Sequence, residues 1–132
     1  MIQDLRQSPI VILDFGSQYT QLIARRVREM NVYCEIHPYH ITHEQLTKIQ
    51  PCGVILSGGP ESTHASATHK VEDWLFHLEI PILGICYGMQ AMAAHLEGEV
   101  GSSDVREFGY ARLNIHGHSL LLENIEDETD DQ

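Results

Sequence analysis

Ile82-Leu83-Gly84-Ile85-Cys86-Tyr87-Gly88-Met89-Gln90 is the stretch on which the fold turns. Its first half is a short apolar run opened by Pro81, the pattern of a strand buried in a parallel sheet. Its second half runs on from Met89 without a further glycine or a proline until Gly98, which predicts a helix from about Tyr87 to Leu96. A strand, then Gly-x-Cys-x-Gly, then a helix is the cysteine form of the Gly-x-Ser-x-Gly elbow, where a nucleophile rides on a strained turn between the two elements. Small residues are needed on both sides because the turn brings strand and helix close together. The sulfur would stand at the helix N-terminus, where unpaired N–H groups and the helix dipole favour an anion. Cys86 is therefore the candidate nucleophile.

Upstream of the elbow, strand and helix patterns alternate. Ile10 to Leu13 is short, β-branched and bounded by Pro9 and Gly16, as a doubly buried strand should be. From Gln18 to Met30, Leu22, Ile23, Val27 and Met30 recur at helical spacing, with Arg25, Arg26, Arg28 and Glu29 on the other side. Val32 to Ile36 reads as a second strand, and His43 to Ile49 as a short helix with Thr42 as N-cap and Pro51 as its stop. Val54 to Leu56 is a third strand that runs into Ser57-Gly58-Gly59-Pro60. Residues 61–66 read as a loop, and Val71, Trp74, Leu75 and Leu78 suggest a helix across His69 to Leu78. Strands and helices in this order call for a parallel sheet wrapped on both faces. The expected class is α/β, a flavodoxin-like, doubly wound and mostly parallel sheet that is incomplete on its C-terminal side. Ligands bind such sheets at the carboxyl ends of the strands, so Asp14-Phe15-Gly16, Ser57-Gly58-Gly59 and Cys86 should share one rim. Consecutive glycines there let backbone N–H groups approach a ligand. After Gly98 the pattern changes to short strand-like pieces such as Arg112 to Ile115. The expected layout is a leader at 1–8, a partial domain at 9–122 and an acidic, frayed tail at 123–132.

Composition narrows the partners. The chain has 132 residues, 42% of them hydrophobic, enough for one sizeable core. Its 19 acidic and 8 basic residues give a formal charge of -11. Nucleic acid is not an expected partner, because binding it relies on Lys and Arg displacing counterions. Three scattered cysteines, Cys34, Cys52 and Cys86, fit neither a disulfide framework nor a paired zinc site and point to a reducing cytoplasm. No window approaches the roughly 18 apolar residues of a membrane span, and the N-terminus lacks the apolar stretch of a signal peptide. Cys34 and Cys52 read as small apolar side chains near strands. His116-Gly117-His118 has no Cys, Asp or Glu at matching spacing to complete a metal site, and none is expected.

Residues 14–28 (Asp14-Phe15-Gly16-Ser17-Gln18-Tyr19-Thr20 through Arg28), Ser57-Gly58-Gly59-Pro60-Glu61-Ser62-Thr63, the elbow itself and Arg106-Glu107-Phe108-Gly109-Tyr110-Ala111 carry a resemblance to the class I glutamine amidotransferases, over nearly all of residues 9–128. The resemblance implies that Cys86 attacks the carboxamide of L-glutamine, forming a γ-glutamyl thioester and releasing ammonia. It makes the backbone N–H groups of Gly59 and Tyr87 the oxyanion donors, with Gly58, Gly59 and Gln90 contacting the substrate. The first and last quoted runs resemble the branch whose ammonia goes to an ATP-pyrophosphatase domain, where ATP and Mg serve the conversion of xanthosine monophosphate (XMP) to GMP in purine biosynthesis. No Gly-rich ATP loop of that domain occurs in these 132 residues, so no cofactor is expected here. The intact family protein is compatible with a homodimer.

The family completes its triad with a His-x-Glu pair far downstream of the cysteine. The expectation is that this pair lies past residue 132 and that the chain alone hydrolyses glutamine poorly, because thiol activation and ammonia protonation need a general base. His77-Leu78-Glu79 and His95-Leu96-Glu97 have the right spelling but the wrong place. His95 lies along the elbow helix, about 13 Å from Cys86 at ~1.5 Å per residue, and His77 precedes the fourth strand at the opposite end of the sheet. His37, His40, His43, His64 and His69 read as surface or loop residues. Two alternatives stay open: another class I amidotransferase, of anthranilate or carbamoyl phosphate type, and a non-catalytic flavodoxin-like module with a redox-sensitive cysteine.

Overall fold

The computed structural model describes residues 8–59, 71–101, 116–117 and 119–124. Four strands, β1 (Ile10–Asp14), β2 (Cys34–Pro38), β3 (Gly53–Leu56) and β4 (Ile82–Gly84), form one sheet in the order β2-β1-β3-β4. Every pair is parallel, with Val11 opposite both Glu35 and Val54, and Ile55 opposite Leu83. Among the described residues, three α-helices supply crossovers and cover: α1 (Thr20–Glu29), α2 (His43–Ile49) and α3 (Tyr87–His95). The α/β class and the parallel sheet are as the alternation predicts.

Because side chains alternate along a strand, β1 feeds two cores. Val11 and Leu13 face a cluster with Leu46 of α2, Leu75, and Tyr87 and Ala91 of α3. Ile12 faces the other side, against Ala24 and Val27 of α1 and Cys34 of β2. Both faces of the sheet are thus covered by helix, which explains why the strands read as continuous apolar runs rather than alternating ones.

Local chemistry sets the element ends. The Thr42 hydroxyl accepts from the Gln45 amide at 3.1 Å, and the Gln45 side chain returns the bond to the Thr42 N–H at 3.1 Å, a complete capping box on α2. Gln50, left-handed at φ 53, ends α2 just before Pro51. The second strand starts at Cys34 and not at Val32, because the turn after α1 takes Asn31 to φ 60 and ties the Val32 N–H back to Val27. The expected helix across His69–Leu78 is also corrected. Among its described residues, 71–78, Asp73–His77 is the helical part, and it is a 3-10 turn between extended Glu72 and left-handed Glu79, an interval too short for an α-helical ladder. Cys34 is buried as expected, but Cys52 is exposed.

The chain separates into two compact units, Met1–Val100 and Gly101–Gln132. In the second, Ser119 caps a 3-10 turn, Leu120–Leu122, through the Leu122 amide at 3.3 Å. The strand expected at Arg112–Ile115, the leader up to residue 7, His64, His69, His118 and residues 125–132 of the acidic tail lie outside the described residues. No helix among the described residues is long and apolar enough to cross a membrane.

Candidate functional site

The junction between β4 and α3 is built as a sharp elbow. Cys86 is the N-cap of α3 and holds φ 53 and ψ -116, a conformation that L-residues rarely adopt. The turn closes through the Gly88 amide to the Ile85 carbonyl at 2.9 Å, and α3 begins with the Gln90 amide to the Cys86 carbonyl at 3.1 Å. A side chain on either flanking glycine would collide with backbone. A Cβ on Gly84 would stand 2.7 Å from the Met89 Cα, and one on Gly88 would run into the Leu56 carbonyl oxygen. The cysteine side chain itself is exposed. Gln90 lies one helical turn beyond Cys86, on the same side of α3, and is half-buried.

The loops after β1 and β3 meet this elbow. A Cβ on Gly58 would lie 3.5 Å from the Cys86 Cβ and 3.2 Å from the Ser17 hydroxyl, and one on Gly59 would lie 3.0 Å from the Tyr87 ring. Phe15 packs on Tyr87 with ring centroids 5.7 Å apart and stacks on Tyr39 at 5.6 Å. Asp14 braces the first loop, its Oδ1 accepting from the Gly16 amide at 2.8 Å and from the Thr20 hydroxyl at 3.1 Å. Asp14-Phe15-Gly16, Ser57-Gly58-Gly59 and Cys86 therefore do lie on one rim. The rim is also the topological switch point of the sheet. From β1 the chain goes to β2 on one side and to β3 on the other, which leaves a crevice between the carboxyl ends of β1 and β3.

One feature of the rim has no signature in the sequence pattern. Ser57 is fully buried, and its hydroxyl lies 3.2 Å from the Gly58 carbonyl, 3.2 Å from the Thr20 hydroxyl and 3.3 Å from the Phe15 amide. Thr20, itself 2% exposed, lies within 3.2 Å of the Ser17 carbonyl as well. A hydroxyl at the end of an apolar run reads as ordinary loop; only the tertiary arrangement makes it a junction of two loops.

The two histidines of the His-x-Glu spellings are placed away from the elbow. His77 and His95 both hydrogen-bond to Asp73, at 3.0 and 3.1 Å, and His95 stacks on Phe76 at 4.7 Å. His95 is the last residue of α3, whose first residue follows Cys86. The hydrogen bonds from His95, and then from His77, hold the Asp73 carboxyl below its ordinary value. Among the described residues no hydrogen bond joins Cys86 to a histidine, and no group of three or more His, Cys, Asp or Glu side chains could hold a metal ion. A cleft of about 480 Å³ adjoins the rim at the ends of β1 and β2, lined by residues that include Asp14, Gly16, His37, Tyr39 and His40.

Comparison with known proteins agrees with this arrangement. Residues 11–130 match the family of class-I glutamine amidotransferases. A GMP synthase [glutamine-hydrolyzing] from Legionella pneumophila (strain Corby) is 66% identical over 128 residues, which are 97% of this chain and 24% of that protein. The protein of the same description from Pseudomonas aeruginosa (strain UCBPP-PA14) is 55% identical over 99% of this chain and 25% of its own length. The chain thus spans about a quarter of the curated relatives it matches. Among solved structures, a protein assigned as a GMP synthase subunit from Thermoplasma acidophilum superposes with a TM-score of 0.75 at 26% identity, covering 92% of this chain and 61% of that one.

Proposed function

The chain belongs to the class-I glutamine amidotransferases, an enzyme family, and from that premise we propose that Cys86 is the nucleophile that cleaves the side-chain amide of L-glutamine. The Cys86 sulfur adds to the carboxamide carbon, and the electron pair moves onto oxygen, where the Gly59 and Tyr87 backbone N–H groups hold it. Collapse of that intermediate breaks the C–N bond. The nitrogen leaves as ammonia once protonated, and water then cleaves the γ-glutamyl thioester to glutamate. Gly58, Gly59 and Gln90 contact the substrate.

The observation that carries this reading is the exposed Cys86 at φ 53, heading a helix with Gly58 beside it. A merely structural cysteine has no need of a strained turn. The high identity to glutamine-hydrolysing GMP synthases supports the further step. In it the ammonia passes to an ATP- and Mg-dependent pyrophosphatase domain that converts XMP to GMP, in a protein that can pair as a homodimer in the cytoplasm. The chain alone is read as a poor glutaminase, because neither His77 nor His95 stands beside Cys86 to serve as its base; both turn to Asp73.

Cys52 provides an internal control, because it too is exposed and free. An electrophile that mimics glutamine should label Cys86 and spare Cys52, and added glutamine should protect Cys86. Equal labelling of the two thiols, unaffected by glutamine, would show that Cys86 is only a reactive surface thiol. In a turnover assay, ammonia release by residues 1–132 should fall at least about a hundred-fold below that of a full-length relative, as expected when no general base stands beside the thiol.

A further inference from the structure

The Gly58–Gly59 peptide has glycine on both sides, so little in its own covalent structure decides which way it faces. Its orientation nevertheless matters. The unit is planar and trans, so the Gly58 carbonyl and the Gly59 N–H point in opposite directions. Turning that peptide over would replace a hydrogen-bond donor with a carbonyl oxygen.

Ser57 decides the orientation. A carbonyl can only accept, so the 3.2 Å contact to the Gly58 oxygen uses the Ser57 proton. The Phe15 amide can only donate, so its 3.3 Å contact uses a Ser57 lone pair. The Thr20 hydroxyl lies 3.2 Å from Ser57 Oγ, 3.1 Å from Asp14 Oδ1 and 3.2 Å from the Ser17 carbonyl, and its single proton serves one of them at a time, so it fills the remaining Ser57 lone pair only when turned away from Asp14. The serine hydroxyl therefore both donates and accepts inside a fully buried site, where an unmatched polar group is costly. Flipping the peptide would withdraw the carbonyl from the Ser57 proton and bring an N–H toward it.

We infer that the Ser57 hydroxyl is a positioning group for oxyanion stabilisation: it holds the Gly58 carbonyl inward and so keeps the Gly59 N–H turned away from the core. Thr20 acts through Ser57, and the pair links the loop after β1 to the loop beside Cys86. The inference rests on the glutamine-cleaving reading of Cys86.

Two reagents separate positioning from folding. A chloromethyl ketone carrying the amino and carboxylate groups of glutamine reacts by thiol addition, which builds negative charge on its carbonyl oxygen. Iodoacetamide reacts by direct displacement, which places no such charge there. In the 132-residue chain, Ser57→Ala should slow chloroketone labelling of Cys86 about tenfold, less than the full loss of an oxyanion donor, and leave the iodoacetamide rate within about twofold. Ser57→Thr, which keeps the hydroxyl, should recover most of the loss. Thr20→Val should shift the same ratio in the same direction by about threefold, and it decides the matter if Ser57→Ala does not fold. A ratio unchanged in the folded variants, or both rates falling together, overturns the inference alone. If glutamine does not slow chloroketone labelling of the unaltered chain, the reading of Cys86 falls and this inference with it.

Discussion

Cys86 sits where a glycine would be more comfortable. At φ 53 and ψ -116 its Cβ is forced against backbone, a strain of roughly 1–3 kcal/mol that persists only because the surroundings over-determine it. The surroundings here are Gly84 against Met89 and Gly88 against Leu56, which leave the elbow no other path. Keeping a β-carbon in that conformation is a cost to the fold, and the gain is a thiol held clear of the sheet. Removing the side chain should therefore stabilise the protein. Cys86→Gly should unfold at higher denaturant than Cys86→Ala, by about 1 kcal/mol, because alanine keeps the strained Cβ and glycine does not. A chemical denaturation series on the two variants checks this, and equal midpoints would mean that the turn is unstrained.

Two short elements hold their places by side-chain chemistry more than by length. The α2 helix has only seven residues, and it is secured by the Thr42–Gln45 capping box and by Leu46, which is fully buried in the core. The Asp73–His77 turn is tied to the end of α3 by the Asp73 carboxylate, which takes a hydrogen bond from His95 and another from His77. The two partners favour the ionised form, so the folded carboxyl titrates below its ordinary 3.8. A depressed folded value means that the stabilisation is fully present above the unfolded value and is lost as pH falls through the folded one. Between about pH 5 and pH 2, therefore, the melting temperature of the unaltered chain should fall more steeply than that of Asp73→Asn, which has no carboxyl to protonate there. The difference should be small, since Asp73 is exposed to solvent. Parallel acid limbs in a thermal pH series would show that the two histidine contacts do not stabilise the fold.

A sheet buried on both sides makes its central strand the point of greatest leverage. Ile12 is wholly buried between α1 and β2, so Ile12→Ala should cost about 2–5 kcal/mol in a denaturant melt, against a few tenths for a change at exposed Met30. The alternation of apolar runs and helical spacing was enough to specify the four parallel strands, the three helices and the elbow, because burial on both faces leaves a continuous hydrophobic signature. The capping residue Thr42 was legible for the same kind of reason: an N-cap is a local bond between near neighbours. The 3-10 turn was not, since Val71, Trp74, Leu75 and Leu78 carry helical spacing while left-handed Glu79 cuts the segment short. Nor was the exposure of Cys52, which depends on what packs beside the entry to β3. The sequence by itself determined that Cys86 would stand on a tight turn between a strand and a helix, because such an elbow is written in neighbours: small, cysteine, small. Only the tertiary structure decided how the loops beside it are held. The Ser57 hydroxyl meets Thr20 across 37 positions and Phe15 across 42, and such bonds arise only when parallel strands bring distant loops to one rim.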